Sequence, residues 1–129
     1  MINEEQLYDA FGELLYAVAK SEGKTRGFAL EQLDKVVRQY EWGSKAMWSF
    51  NYENLHDHKM EEAYDKAFDA FTSFGPFKGY KSFFDMLDAI VKMEILGERG
   101  QKVINRFRNK LLVHFAENQE IYFPDTEEA

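Results

Sequence analysis

Acidic residues at two glycine-containing turns are the first candidates for a metal-binding site in this sequence. A helical apolar pattern near the start of the chain breaks at a polar turn that holds Glu22, and Glu31 lies in the next helical pattern. A fainter copy over 89–103 holds Glu94 and Glu98. Carboxylates that converge from a tight turn and from the following helix suit a hard cation. Glu22, Glu31, Glu94 and Glu98 are therefore the candidate ligands of a divalent-cation site. The alternative is that each is a solvated charge, because two carboxylates per turn are few for such an ion.

His56 and His58 form an alternative metal site with Glu62. If a helix begins at His58, then His58 and Glu62 lie one turn apart on the same face, and His56 adds a second nitrogen. Zinc needs three or four fixed ligands. The competing interpretation is that Asp57 caps the helix while both histidines flank it in solvent.

Catalysis has no positive signal elsewhere in the chain. The sequence contains no glycine-rich phosphate loop, no serine elbow and no His-Glu-x-x-His pattern. We therefore predict no enzymatic activity and name no catalytic residue. A metal-dependent enzyme built on the histidine cluster is the weakest hypothesis.

Aromatic residues crowd the segment from 41 to 57, where the apolar periodicity blurs. Trp42, Trp48 and Tyr52 are the candidates for a partner-binding surface, because aromatic side chains anchor protein interfaces. The alternative is that most of them close the core where the helical pattern fails.

Composition restricts the class of protein. The chain has 129 residues, of which 45% are hydrophobic and 16% aromatic, and it should fold as one domain around one core. Its 16 basic and 23 acidic residues give a net charge of -7, which argues against a nucleic-acid partner. It has no cysteine, which excludes disulfides and thiolate chemistry. Neither a secretory signal nor a membrane-spanning apolar run is present, so we expect a cytoplasmic protein.

Helical periodicity accounts for nearly the whole chain, and we predict an all-α bundle of about six or seven helices. Asn3 and Gln6 have the spacing of a capping box for the first helix, and Gly23 can end it in a left-handed conformation. We predict that Ser44 caps a short helix, that 51–54 form a turn, and that Asp57 caps a longer helix. Further helices are predicted from Pro76 or Gly79 to the second acidic turn, and from Glu98 to Phe115.

Two segments differ in character along the chain. Residues 1–116 form the predicted helical domain, and residues 117–129 form an acidic tail in which Ile121, Tyr122 and Phe123 could dock on the core. The last long helix carries a basic face. Such a face is usually solvated, but it also suits an acidic partner or the surface of a membrane complex. Its basic residues are Arg99, Lys102, Arg106, Arg108 and Lys110.

The stretch Ala19-Lys20-Ser21-Glu22-Gly23, followed by Leu33 in a helix, resembles the Ala-Lys-Ala-Asp-Gly turn of the tellurite-resistance TerB-like family. The resemblance implies a compact helical bundle with a weak helix-turn-helix pseudo-repeat, which also occurs in certain DnaJ-like proteins. It further implies a bacterial stress-response role and metal binding at the acidic turns. Glu22 replaces the usual Asp, and Phe28 and Ala29 stand where acidic residues usually open the second helix.

These inferences combine into one functional expectation. We expect a non-enzymatic, TerB-like domain that binds a partner protein and, at the acidic turns, a divalent cation. The alternative is a structural or interaction domain without a metal site.

Overall fold

The computed structural model describes residues 3–75, 79–93 and 96–117. These residues form six α-helices joined by short connections and contain no strand, which confirms the predicted all-α architecture. The helices are α1 (Glu4–Ser21), α2 (Gly27–Val37), α3 (Gly43–Leu55), α4 (Met60–Phe74), α5 (Tyr80–Lys92) and α6 (Glu98–Glu117).

Helix α1 is the central element of the bundle. It packs most extensively on α3 and α4, and it also contacts α6. Residues 14–19 are all buried, so this helix has apolar neighbours on nearly every side. A helix that is apolar all round must be enclosed by others, and the remaining helices present one apolar face each.

The crossing of α1 and α3 depends on a glycine. A Cβ atom added at Gly12 would overlap the carbonyl oxygen of Ala46 and would lie 3.0 Å from Cβ of Ser49. The absence of a side chain lets the two backbones approach closely. Gly12 therefore brings the polar face of α3, including Ser49 and Glu53, against the central helix.

The predicted start and end of α1 are confirmed. The Asn3 side chain accepts a hydrogen bond from the Gln6 amide, and the Gln6 side chain accepts one from the Asn3 amide. Gly23 has a φ of 67° in the turn that follows α1. This left-handed conformation costs glycine little, so the chain can leave the helix abruptly toward α2.

The predictions around α3 were wrong at two points. Helix α3 begins at Gly43, with Trp42 in the cap position, so Ser44 lies inside the helix. Residues 51–54 continue the helix instead of forming a turn. The cause lies in two buried polar residues, Ser49 and Glu53, which occupy positions where a buried face normally shows apolar side chains. They broke the apolar pattern without breaking the helix.

Asp57 does not cap α4. The cap position is Lys59, which makes no side-chain capping bond, and α4 begins at Met60. Asp57 has a φ of 50° in the connection after α3, and its carboxylate pairs with Lys20 of α1. This hydrogen bond from Lys20 holds the pKa of the Asp57 carboxyl below its usual range. Its role is to tie the α3–α4 connection to the central helix.

The predicted helix-turn-helix pairs exist as α1–α2 and α5–α6, while their relation as a repeat stays a prediction. The prediction of an acidic, partly docked tail falls almost wholly on residues 118–129, which lie outside the described residues. None of the helices that the structure describes is long and apolar enough to cross a membrane.

Candidate functional site

The carboxylate of Glu22 interacts with the start of α6. Its Oε2 atom accepts a hydrogen bond of 2.6 Å from the Gly100 amide, which lies in the first turn of that helix. A Cβ atom added at Gly97 would lie 2.9 Å from Oε1 of Glu22, and one at Gly100 would lie 3.2 Å from its Cγ. The two glycines therefore leave a cradle for this side chain. A carboxylate there satisfies an amide that has no partner within its helix and complements the helix dipole.

The other predicted acidic ligands do not form a described cluster with Glu22. Glu31 is exposed on α2. Glu98 is exposed in the first turn of α6, with Lys102 3.8 Å away. Glu94 lies outside the described residues, so its relation to Glu22 is untested. Within the described ranges, no group of three or more histidine or acidic side chains is arranged to hold a metal ion.

The histidine cluster has a different organisation from the one predicted. His56 follows the last residue of α3, and its ring stacks on that of His58 with centroids 5.5 Å apart. The Nδ1 atom of His58 lies 2.9 Å from Oε1 of Glu53, and its carbonyl oxygen accepts a hydrogen bond from Tyr16. Glu62 is exposed on α4. His58 therefore joins a buried acid that the predicted trio did not include.

A charged network around Glu53 is the largest feature that the sequence did not reveal. Glu53 is 1% exposed, and its Oε2 atom accepts a hydrogen bond of 2.8 Å from Nζ of Lys66 on α4. The same Nζ atom lies 3.5 Å from Oε2 of Glu13 on α1. Burial raises the pKa of the Glu13 carboxyl, although Lys66 acts in the opposite direction. Burial lowers the pKa of Lys66, but its hydrogen bond to Glu53 and the charge of Glu13 outweigh this and raise it.

This network links α1, α3, α4 and the α3–α4 connection. A buried carboxylate is tolerated only when cations and hydrogen-bond donors surround it. Here Lys66 and His58 supply them. The network joins three helices inside the bundle.

Trp42 belongs to the aromatic packing at the edge of the core. Its ring stacks on Tyr8 with centroids 5.5 Å apart and meets Phe11 and Phe83 edge to face. The ring of Tyr40, in the same connection between α2 and α3, has its centroid 5.3 Å from that of Trp42. The structure thus places Trp42 where the alternative interpretation put it, closing the bundle.

Trp48 and Tyr52 lie on the outer face of α3. Their rings stack with centroids 5.8 Å apart, and Leu55 continues the same face one turn further on. We name these three residues the α3 stripe. Shallow grooves run on both sides of Trp48, one of them bordered by Asp9 of α1 and Lys45. The stripe is outside the core cluster, so its apolar area is not needed to hold the bundle together.

Two of the five basic residues on the α6 face, Arg106 and Arg108, pair with acidic residues of neighbouring helices. Arg106 makes two hydrogen bonds of 3.0 Å to Glu61 of α4, which lower the pKa of that carboxyl. Arg108 donates a hydrogen bond of 2.7 Å to Asp88 of α5. Exposed pairs of this kind contribute little stability. The positive charges of Arg106 and Arg108 are nevertheless matched by carboxylates, so this face is only in part a free basic surface.

Comparison of the chain with models of protein families, with curated proteins and with solved structures gave no match. The resemblance to the TerB-like family therefore stays a prediction.

Proposed function

We propose that this protein is a helical interaction domain that binds a partner protein through the α3 stripe. One observation carries the proposal: three large apolar side chains at i, i+4 and i+7 share one exposed helix face. Trp48 is 66% exposed, Tyr52 is 45% exposed and Leu55 is 81% exposed. Single exposed apolar residues are ordinary, whereas a contiguous row with aromatic members is typical of a binding surface.

The stripe is held on a rigid support. The opposite face of α3 is buried against α1, and the Glu53 network fixes the end of the helix nearest to Leu55. The stacking of Trp48 on Tyr52 further restricts both rings. Side chains that are ordered before binding lose less conformational entropy when a partner arrives. The arrangement therefore favours specific docking over non-specific adhesion.

The geometry and charge indicate the chemistry of the partner. Seven residues of helix span about 10 Å, so the stripe matches roughly two turns of a helix laid along it. The chain has a net charge of -7, and the groove beside Trp48 is bordered by one acid, Asp9, and one base, Lys45, so the negative charge comes from the chain as a whole. A partner segment with one apolar face and basic flanking residues would complement this surface.

Affinity capture with matched variants tests the proposal. We expect a protein retained by the wild-type chain to be lost with Trp48→Ala and kept with Phe28→Ala, which removes an aromatic side chain that is 72% exposed on α2. Binding of the purified partner should then weaken at least about tenfold with Trp48→Ala, as for an interface hot spot. Equal retention by both variants would exclude the stripe as the docking surface.

Tryptophan fluorescence gives a direct readout. The chain has two tryptophans, and Trp42 is packed among four aromatic rings while Trp48 is exposed. Trp48→Phe should remove most of the quenching by acrylamide. A partner that covers the stripe should shift the emission of the wild-type protein to shorter wavelength and leave Trp48→Phe nearly unchanged. A partner that binds without this difference must dock elsewhere.

A divalent cation at the acidic turns is a second proposal that rests on the family resemblance, as does a role in stress response. Calorimetric titration with Ca²⁺, Mg²⁺, Mn²⁺ and Zn²⁺ tests it. A real site should lose affinity with Glu22→Gln, and heats equal to those of dilution for all four ions would reject it. The geometry favours the interaction surface, because the Glu22 carboxylate already accepts a hydrogen bond from the protein.

A further inference from the structure

The groove that follows Trp48 along α3 has the arrangement of a seat for one side chain of another helix. Its volume is about 260 Å³, several times the roughly 30 Å³ that a water molecule occupies. The lining residues are Trp48, Asn51, Tyr52 and Leu55. They stand at positions i, i+3, i+4 and i+7, so they surround one point on the helix surface. Four such residues form the hole that receives a knob in coiled-coil packing. We name this groove the α3 hole.

The α3 hole selects against charge. None of its described lining residues carries a charge, although 30% of the residues of the chain do. The stacked rings of Trp48 and Tyr52 form one side, and Leu55 forms the other. A charged side chain seated between them would lose its hydration without meeting an opposite charge. The side chain that fits the hole is therefore large and apolar.

Asn51 supplies an amide to the wall of this hole. Its side chain is exposed and makes no hydrogen bond within the part of the chain that the structure describes. By contrast, the Asn54 side chain donates a hydrogen bond of 3.0 Å to the Thr25 carbonyl, and Glu53 accepts one from Lys66. A partner that covers Asn51 removes its amide from water, and a buried amide needs a hydrogen-bond partner. The occupant must therefore bring a polar side chain to Asn51.

This inference rests on the proposed docking at the α3 stripe and names the segment that docks. We propose that it is a single helix, which seats one large apolar side chain in the α3 hole and pairs a hydrogen-bonding side chain one turn away with Asn51. The apolar contact supplies affinity. The pair with Asn51 supplies register, because a helix shifted by one turn would bury that amide without a partner. Asn51 is thus the residue that determines specificity on this surface.

A displayed library of helical peptides tests the proposal with the intact protein. Each peptide has about 18 residues, or five turns, with random residues at i, i+3, i+4 and i+7 of a fixed polar helix. Peptides enriched on the wild-type protein over Trp48→Ala should share one large apolar residue with Asn, Gln, Ser or Thr three or four positions away. Selection on Asn51→Leu should replace that polar residue by an apolar one. Selection of the same residues on both proteins would overturn the role of Asn51.

Affinities for two matched peptides give the quantitative test. The first is an enriched peptide, and the second has Leu in place of its polar residue. Fluorescence anisotropy should show that the first binds Asn51→Leu about five- to 100-fold more weakly than the wild type, because its polar group is buried unpaired. The second should show the reverse order. Asn105→Leu, at an exposed position on α6, should change neither affinity. Equal affinities of both peptides for all three proteins would overturn the proposal.

The outcomes separate this inference from the proposed function. If no peptide is enriched on the wild type over Trp48→Ala, the helix seat is rejected, and affinity capture still decides whether the α3 stripe binds a partner of another shape. A captured partner that is lost with Trp48→Ala but kept with Asn51→Leu supports the stripe and rejects the role of Asn51. A partner kept by Trp48→Ala rejects the stripe itself, and this inference fails with it.

Discussion

Removing the Glu22 carboxylate should destabilise the protein with or without a divalent cation. Glu22 accepts a hydrogen bond of 2.6 Å from the Gly100 amide, the third residue of α6, and so acts as a cap supplied from another part of the chain. The perturbations are Glu22→Ala, which removes the acceptor, and Glu22→Gln, which keeps an acceptor but removes its charge. The metal-site hypothesis makes a different prediction for the same variants.

The expected magnitude follows from the contacts. Loss of a helix-capping side chain costs about 0.5–2 kcal/mol, and a hydrogen bond to a charged group contributes about 1.5–3 kcal/mol. Glu22 is half-buried, so we expect a loss of about 1.5 kcal/mol for Glu22→Ala. For Glu22→Gln the loss should be about 0.5–1 kcal/mol, which is the charge–dipole part. In a domain of this size, about 1.5 kcal/mol lowers Tm by roughly 5 °C.

Thermal and urea unfolding followed by circular dichroism measure this loss. The matched controls in EDTA are Glu31→Ala and Glu31→Gln, which make the same charge changes at an exposed position on α2. In the metal buffer Glu31 is itself a predicted ligand, so the comparison there is between each Glu22 variant and the wild-type protein. All variants are unfolded once in EDTA and once with excess Ca²⁺ or Mg²⁺. The capping role predicts equal losses in both buffers. A cation site would instead raise the wild-type Tm with added metal, and Glu22→Gln would abolish that increase.

One result would refute the capping argument. If Glu22→Ala and Glu31→Ala unfold within about 1 °C of each other in EDTA, the hydrogen bond to Gly100 contributes no measurable stability. If Glu22→Ala lowers stability only when metal is present, this carboxylate stabilises the protein by binding an ion.

Four further outcomes follow from the packing. Gly12→Ala should lower the free energy of unfolding in urea by roughly 1–3 kcal/mol, because the added methyl group overlaps the backbone of α3. This loss is expected despite the better helix propensity of alanine. Equal or higher stability would contradict the close crossing of α1 and α3. Lys66→Met leaves the Glu53 carboxylate buried without its ammonium partner and should lower the free energy of unfolding by about 2–3 kcal/mol. The loss is smaller than for a fully buried pair because Lys66 is half exposed. An unchanged free energy of unfolding would show that the network does not stabilise the protein. Burial raises the pKa of Tyr80, so the folded state holds the phenolic proton more tightly than the unfolded chain does. The contribution of Tyr80 to stability is therefore full below pH about 10 and falls as the pH rises further. Tyrosinate absorbance should show Tyr80 ionising together with unfolding, not before it. The hydroxyl of Tyr64 is buried with no hydrogen-bond partner among the described residues, so Tyr64→Phe should leave the unfolding free energy unchanged or raise it, and a clear loss would reveal a hidden partner.

Local signals in the sequence predicted the ends of α1. The capping box at Asn3 and Gln6 and the left-handed Gly23 depend on neighbours only a few residues away, so their chemistry is visible in the sequence. The turn predicted at 51–54 failed for the opposite reason. Glu53 is inside the core because Lys66 and His58 meet it there, and neither contact is apparent from the residues around Glu53.

The candidate binding residues show the same contrast between what the sequence reveals and what only the packing reveals. The aromatic residues of the α3 region were recognised from the sequence as candidates for binding, yet nothing in the sequence distinguishes Trp42 from Trp48. Only the packing separates them, because Trp42 follows a tight connection that faces Tyr8 and Phe83, whereas Trp48 falls on the face of α3 opposite α1.

By itself, the sequence determined that the chain is helical, where α1 begins and ends, and which residue types were available for binding. Apolar periodicity and caps are short-range properties, so they survive without knowledge of the fold. Only the tertiary structure decided what each charge does. Glu22 meets Gly100 across 78 positions of sequence, and Glu13, Glu53 and Lys66 meet from three helices. The function of a carboxylate depends on its spatial neighbours, and those are set by how the helices pack around α1.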